Sequence, residues 1–325
     1  MQHPNGRRRA LGALAATAIC PGLALAQASY PDRPIKYLVP YTAGGGADFI
    51  ARVVAEGLTK HLGQPVIVEN RPGASGVIAT QLGANAAPDG YTILLAGVDA
   101  LAFNTAMFDK LPYDPQKDFT YVSLQAKLDM MVVVREESPY KTLAELIAAI
   151  QAKPGVVSFA SPGKGTPHYL GMELFLKENK LRALGIQYQG VAPAVRDILA
   201  GIIDFGFIDL AATLPQVKAN KVRVLGVAAK TRIAALPNVP TLAELGYPFV
   251  SYVWNGIVMP AGVPKPVLDR FIRAMRETMR DETLRAKFAQ AGIEPMFTTP
   301  EEYRNLTLAE IERWGPSIRE LGIKL

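Results

Sequence analysis

Two glycine-rich turns hold the residues best suited to chemistry. The first reads Tyr41-Thr42-Ala43-Gly44-Gly45-Gly46-Ala47-Asp48. It follows a β-rich run, Ile35–Tyr41, and precedes apolar Ile50, Val53, Val54, Leu58 and Leu62 at helical spacing. Three glycines at such a junction let the backbone turn tightly and approach a bound molecule closely. The helix then offers unpaired N–H groups and roughly half a positive charge, which suits an anion. A plain strand-to-helix turn is the alternative. A dinucleotide fingerprint would need a third glycine where Phe49 stands, and no Walker lysine follows, so nucleotide binding has little support.

The second turn is Ser161-Pro162-Gly163-Lys164-Gly165-Thr166-Pro167-His168, again between a strand and a helix. Thr166 fits an N-cap, with Pro167 at the first helical position. Its hydroxyl either faces an anion or only caps. His168 either faces the same anion or is a solvated first-turn residue. Ser75-Gly76, within Gly73-Ala74-Ser75-Gly76, and the Gly190-Val191-Ala192 turn occupy equivalent places. Asp209 ends the run IDFGFI and either accepts from loop amides, holds a water, or N-caps the next helix. Asp99 lies in the turn after the strand Tyr91–Ala96.

Strands and helices alternate on both sides of these turns, the pattern of parallel βαβ units with right-handed crossovers. Strands are expected at Ile35–Tyr41, Val66–Glu69, Tyr91–Ala96, Val156–Ser161, Ile186–Gln189, Ile203–Ile208 and Val222–Ala228. Helices are expected between them, and two amphipathic helices close the chain, about Pro264–Ala291 and Pro300–Leu321. Phe119–Arg135 and Phe249–Met259 are extended with no helix inside, and read as crossings between two α/β lobes. The expected division is 29–122 plus 247–325 for lobe one and 123–246 for lobe two. A ligand site between the lobes would lie where strands end and helices begin.

Of the formal charge of +6, three units come from Arg7, Arg8 and Arg9 at the N-terminus. These arginines precede an apolar Ala10–Leu25 stretch and the small-residue sites Ala24-Leu25-Ala26 and Ala26-Gln27-Ala28. The pattern is that of a signal peptide over residues 1–28, cleaved near Ala26 or Ala28. General secretion is the default route; the adjacent arginines hint at twin-arginine export. The single cysteine, Cys20, falls inside this leader, so the mature chain would lack disulfides and thiol chemistry. No long basic run appears, and nucleic-acid binding is not expected. Neither a metal-ligand cluster nor a G-x-S-x-G elbow is present, and no cofactor is implied.

Over nearly the whole mature chain the sequence resembles the receptors of tripartite tricarboxylate transporters, the Bug proteins. The resemblance is carried by Tyr30-Pro31-Asp32-Arg33-Pro34-Ile35, Ala43–Asp48, Val68-Glu69-Asn70-Arg71-Pro72-Gly73 and Pro88-Asp89-Gly90-Tyr91-Thr92. It continues through Leu111-Pro112-Tyr113-Asp114-Pro115, Lys117-Asp118-Phe119, Gly165-Thr166, Glu173-Leu174-Phe175 and Ala235-Leu236-Pro237-Asn238-Val239-Pro240-Thr241. It implies a two-lobed periplasmic-binding-protein (Venus flytrap) fold of the α/β class with two crossing segments. It also implies a carboxylate ligand and a small and a large membrane subunit as partners. In such receptors the loops matching Ala43–Asp48 and Gly163–His168 hold one ligand carboxylate, mostly through main-chain groups and waters.

The ligand-binding set expected here is Tyr41, Ala43, Gly44, Gly45, Gly46, Ala47, Asp48, Ser75, Gly76, Asp99, Ser161, Gly163, Gly165, Thr166, His168, Gly190, Ala192 and Asp209. Three departures from the family pattern stand out. Ala47 replaces a common threonine, Val77 follows Ser75-Gly76 where a polar residue is usual, and Asp99 adds a carboxylate. The distal ligand end is therefore expected to be apolar, aromatic or amine-bearing. An exported, monomeric, non-enzymatic receptor for an aromatic, amino, mono- or dicarboxylic acid is the reading. A ligand sensor for a membrane kinase, and an enzyme built from Asp48, Asp99 or Asp209 on the same scaffold, are its rivals.

Overall fold

The computed structural model of the chain describes residues 30–325. The leader reading, Cys20 included, lies outside them. The chain runs β1 (Ile35–Val39), α1 (Gly46–Leu62), β2 (Val66–Asn70), α2 (Val77–Ala84), β3 (Thr92–Gly97), α3 (Asn104–Met107) and β4 (Phe119–Arg135). Then come α4 (Leu143–Ala152), β5 (Ser158–Ser161), α5 (Pro167–Glu178), β6 (Leu184–Gln187), α6 (Val191–Leu199), β7 (Phe205–Asp209), α7 (Leu210–Lys218) and β8 (Val222–Val227). The chain ends with β9 (Tyr252–Pro260), α8 (Lys265–Arg280), α9 (Glu282–Gln290), β10 (Glu294–Pro295) and α10 (Pro300–Glu320).

The strands form one curled sheet in the order β2-β1-β3-β9-β4-β7-β5-β6, with β8 and β10 also paired to β4. At one end β1 pairs in parallel with β2 and β3; at the other β5 pairs in parallel with β6 and β7. Between them β4 and β9 run antiparallel to their neighbours. This is an α/β periplasmic-binding-protein architecture, and the long strands connect its two halves. β4 has 17 residues, a span of roughly 55 Å. Its first part pairs with β9 and β10, its last part with β7 and β8.

The pairing of β4 with β9 shifts register between Tyr121 and Ser123 and again between Leu124 and Ala126. Such irregularities bend and re-aim a strand. The backbone groups freed there find side-chain partners: the Leu124 amide donates to Thr298 Oγ1 (3.1 Å), and the Thr298 amide to Ser123 Oγ (2.9 Å). Beneath them Tyr37 donates to Gln125 (2.8 Å), which donates to Asn255 (3.0 Å), all buried. A satisfied polar chain of this kind fixes the crossing strands in one arrangement.

Two apolar clusters are local, one around Ile35, Ile50, Phe271 and Phe288 and one around Met131, Val195, Ile198 and Ile208. The largest runs through both halves, from Leu94 and Phe103 to Phe159, Phe175 and Phe207. The core is therefore continuous behind the crossing strands rather than two separate cores.

The penultimate helix departs from the sequence expectation. The expected Pro264–Ala291 segment is two helices, because Asp281 adopts an extended conformation and its carboxylate accepts from the Thr283 and Leu284 amides. An N-capping aspartate starts a new helix at the position where the periodicity continues. The sequence reading also placed no helix after β3, where a π turn over Asp99–Phe103 leads into α3.

Gly256 sits at the centre of the crossing, opposite Ala96 and Leu124. A methyl there would fall 2.5 Å from the Ser123 carbonyl oxygen and 2.6 Å from the Tyr303 ring. Gly256→Ala should destabilise the protein by about 1–3 kcal/mol, the cost of overpacking. Urea melts would register this as a lower midpoint; an unchanged midpoint would show that the crossing is not tightly packed.

Candidate functional site

The first glycine-rich turn joins β1 to α1. Gly44 takes φ +83°, the left-handed region that glycine enters without cost. The N-cap is Gly45, which has no side chain to close the helix. The first-turn amides therefore lack both an intrahelical acceptor and a capping oxygen.

Asp48 lies in that turn but folds back onto it. Its Oδ2 accepts from the Gly44 amide (2.9 Å) and Arg52 Nε (3.0 Å), and its Oδ1 from Asn70 Nδ2 (2.9 Å). Asn70 Nδ2 also donates to the Tyr41 carbonyl (3.0 Å). Burial raises the Asp48 carboxyl's pKa, but Arg52, the Gly44 amide and Asn70 together outweigh it and hold it below its ordinary value. Through these bonds Asp48 braces the turn.

Gly73, Ala74, Ser75 and Gly76 all take positive φ, from 46° to 129°. For Ala74 and Ser75 this is a strained conformation, and strain of this kind collects at binding sites. It is held in part by Asn104 Nδ2, which donates to the Ser75 carbonyl (3.1 Å) and to Tyr113 (3.1 Å). Gly76, the N-cap of α2, provides no side-chain cap.

Asp99 begins the π turn after β3 and is 4% exposed. The Tyr41 hydroxyl faces both its oxygens, at 2.8 and 2.6 Å, and the Ala100 amide donates to Oδ1 (2.9 Å). Burial pushes the Asp99 carboxyl above its ordinary range; Tyr41, the Ala100 amide and the His168 imidazole oppose that shift. Burial, and then Asp99 itself, push the Tyr41 hydroxyl upward.

In the second half, Ser161 and Gly163 lock the end of β5: the Gly163 amide donates to Ser161 Oγ (3.2 Å). Thr166 N-caps α5, accepting from the Tyr169 amide, and its own hydroxyl donates to the Gly163 carbonyl (2.6 Å). Of the two alternatives for its hydroxyl, the structure shows the capping one, with the turn closed on the Gly163 carbonyl. His168 is not a solvated residue: it is 7% exposed, with Nε2 3.0 Å from Asp209 Oδ2. Asp209 also caps α7 through the Ala212 amide (3.0 Å). It takes the capping role and holds His168 as well. Gly190, at φ +109°, N-caps α6 without a side-chain bond, leaving the amides of the Val191-Ala192 turn uncapped.

The two halves touch across these turns. A methyl on Gly165 would lie 2.6 Å from Ser75 Oγ and 2.8 Å from the Leu325 side chain. Lys177 pairs with Glu320 at 2.5 Å. The Ser75 and Gly165 turns are thus in contact. His168 Nδ1, Asn104 Oδ1 and Trp254 Nε1 are buried with no partner among the described residues. Sequence reasoning missed Asn70, Arg52, Asn104 and Trp254. Each acts through a contact distant in the chain or through a side chain whose type has no signature.

A family model described as "Tripartite tricarboxylate transporter family receptor" matches residues 50–323. The chain is 36% identical to Protein BugT of Bordetella pertussis over 299 residues, 91% of this chain and 92% of that protein. Among solved structures it is similar to the periplasmic binding protein BugD (30% identity, TM-score 0.84, covering 91% of this chain and 99% of that one). It is also similar to an R. palustris protein solved with adipate (29%, TM-score 0.85, 91% and 99%). MatC from Rhodopseudomonas palustris with bound malate is a third (29%, TM-score 0.81, 88% and 99%).

Asp48→Asn should lower stability at pH 7 by about 1–3 kcal/mol, the scale of charged hydrogen bonds. A carboxyl whose pKa is depressed on folding stabilises above its unfolded value, about 3.9, and that contribution disappears as pH falls through the lower folded value. Urea melts of both proteins at pH 7 and about pH 2.5 should therefore show the gap closing in acid. A gap of constant size would contradict the ionic role.

Proposed function

The chain belongs to the tripartite tricarboxylate transporter receptor family, whose members are periplasmic solute-binding receptors, and we propose that it closes on a small carboxylate for delivery to a membrane transporter. What supports this is the contact of the Ser75 turn of one half with the Gly165 turn of the other, together with helix starts on Gly45 and Gly190, one in each half, that carry no side-chain cap. The ligand-bearing residues in this reading are the main-chain groups of Ala43–Ala47, Ser75-Gly76, Gly163–His168 and Gly190–Ala192. Adipate and malate in the related structures support the ligand class.

The magnitudes are sufficient. Micromolar affinity corresponds to about −8 kcal/mol. Hydrogen bonds to a charged group contribute about 1.5–3 kcal/mol each. A helix N-terminus adds about 0.3–1 kcal/mol when exposed and up to about 2 when partly buried. Three or four amides on one carboxylate therefore suffice without an arginine. Because the donors sit on both halves, all of them reach one anion only when the cleft closes. Ligand shifts the open–closed population, and a small and a large membrane subunit read the closed form. The lobes are taken as 29–122 plus 247–325 and 123–246, acting as a monomer after export and cleavage near Ala26 or Ala28. No catalytic step is assigned to it.

Gly165→Val tests closure. The added side chain meets Ser75 and Leu325 only when the halves are together. Calorimetry with small mono- and dicarboxylates should give at least tenfold weaker binding in the variant, with the melting temperature of the ligand-free protein little changed. Failure of the unmodified protein to bind any small carboxylate would overturn the proposal. Equal affinity in the variant would remove the closing contact from it.

A further inference from the structure

We infer that the arginine-lined groove between α8, α9 and the segment after β10 is a docking surface for an acidic protein segment that carries an apolar side chain, on the membrane partner. The inference rests on the carboxylate-receptor reading and names the surface through which such a receptor meets its partner. A cavity of about 160 Å³ opens there, and none of the glycine-rich turn residues lines it. Arg276, Arg280 and Arg285 line it and are exposed. Met279, Met296 and Phe297 give it an apolar floor, with Met279 buried and Phe297 half-buried.

The charge there is unbalanced. Arg276 and Arg280 stand four apart on α8, with exposed Arg273 one turn earlier, and like charges at that spacing repel. Among the described residues Arg276 and Arg285 make no ion pair, and Arg280 reaches only Glu277, at 3.6 Å. On the flank toward α1 the cations are matched: Lys60 pairs with Asp281 (2.8 Å) and Lys287 with Glu56 (2.6 Å). An acidic partner would neutralise the surplus. Arg276 lies over the Phe297 ring, 5.4 Å from its centroid, which keeps the guanidinium beside the apolar floor. Arginine forks bind carboxylates through paired hydrogen bonds, and the floor takes an apolar side chain between them. An anchored side chain ringed by charge is recognition of a protein; a flat layer of anionic headgroups would leave the floor empty. The segment that walls the groove follows Gly292, where a methyl would fall 2.7 Å from Leu210 at the start of α7 in the other half. A protein docked in the groove therefore adjoins a junction of the two halves, where closure is readable.

Fluorescence anisotropy tests this with short labelled peptides: phenylalanine flanked by glutamates, glycine flanked by glutamates, and phenylalanine flanked by lysines. The first should bind, and more tightly than either of the others. The double variant Arg276→Glu, Arg285→Glu should bind it at least tenfold more weakly, with circular dichroism and melting temperature little changed. The same charge change at Lys110 and Lys153, exposed and outside the groove, should keep most of the affinity. An equal loss in that control would overturn the inference by reducing it to general charge attraction. No binding of the first peptide would overturn it too, and so would equal binding of the glycine peptide, which lacks the anchor. Phosphatidylglycerol vesicles that bind the protein where the peptide does not would overturn it in favour of a membrane surface. The peptides need no bound carboxylate, so each of these failures removes the docking surface and leaves the receptor reading standing.

Discussion

The proposed capture depends on helix starts whose main-chain amides have no side-chain cap. A helix start exposes N–H groups that must find acceptors, and most helices supply one from a side chain. Here α4, α5, α7, α9 and α10 do so through Thr142, Thr166, Asp209, Asp281 and Thr299. α1, α2 and α6 begin on Gly45, Gly76 and Gly190, which have nothing to offer. At α2 the Val77 amide donates to the Ala74 carbonyl, while at α1 and α6 no capping side chain is present, and an anion is the acceptor that the helix dipole favours there. In the proposed function, affinity comes from this backbone geometry.

Geometry of that kind needs a rigid support. The side chains that chemistry would first nominate supply it. Asp48 ties the first turn to Arg52 and Asn70, Thr166 closes the second upon Gly163, and Asp209 anchors both α7 and His168. Behind them β4 and β9 carry the two halves on one sheet, with the Tyr37–Gln125–Asn255 chain fixing their relation. Donors on opposite sides of a cleft are useful only if closure brings them to the same place each time.

Much of this was legible in the chain. Alternating strand and helix patterns marked the parallel units, and the glycine runs at their junctions marked the turns. Helix starts at Thr166-Pro167 and at Thr299-Pro300 follow from local capping chemistry. What escaped is what local pattern does not encode. Asp281 splits a helix whose apolar periodicity continues through it, because a cap competes with propagation. Asp99 shows a carboxylate in a loop, but its burial and its bond to Tyr41 depend on two strands meeting 58 positions apart. Ser75 and Ala74 sit at positive φ because Asn104 and the opposing turn hold them, and neither is adjacent in sequence. His168 is buried because Asp209 arrives from another βα unit.

The central claim is that oriented backbone amides from the two halves grip one acidic group. A crystal structure of the protein with a bound carboxylate tests it most directly. The account predicts carboxylate oxygens within about 3 Å of amide nitrogens from both the Gly45–Ala47 turn and the Gly165–His168 turn. A carboxylate held chiefly by an arginine or lysine side chain, or lodged away from these turns, would contradict it.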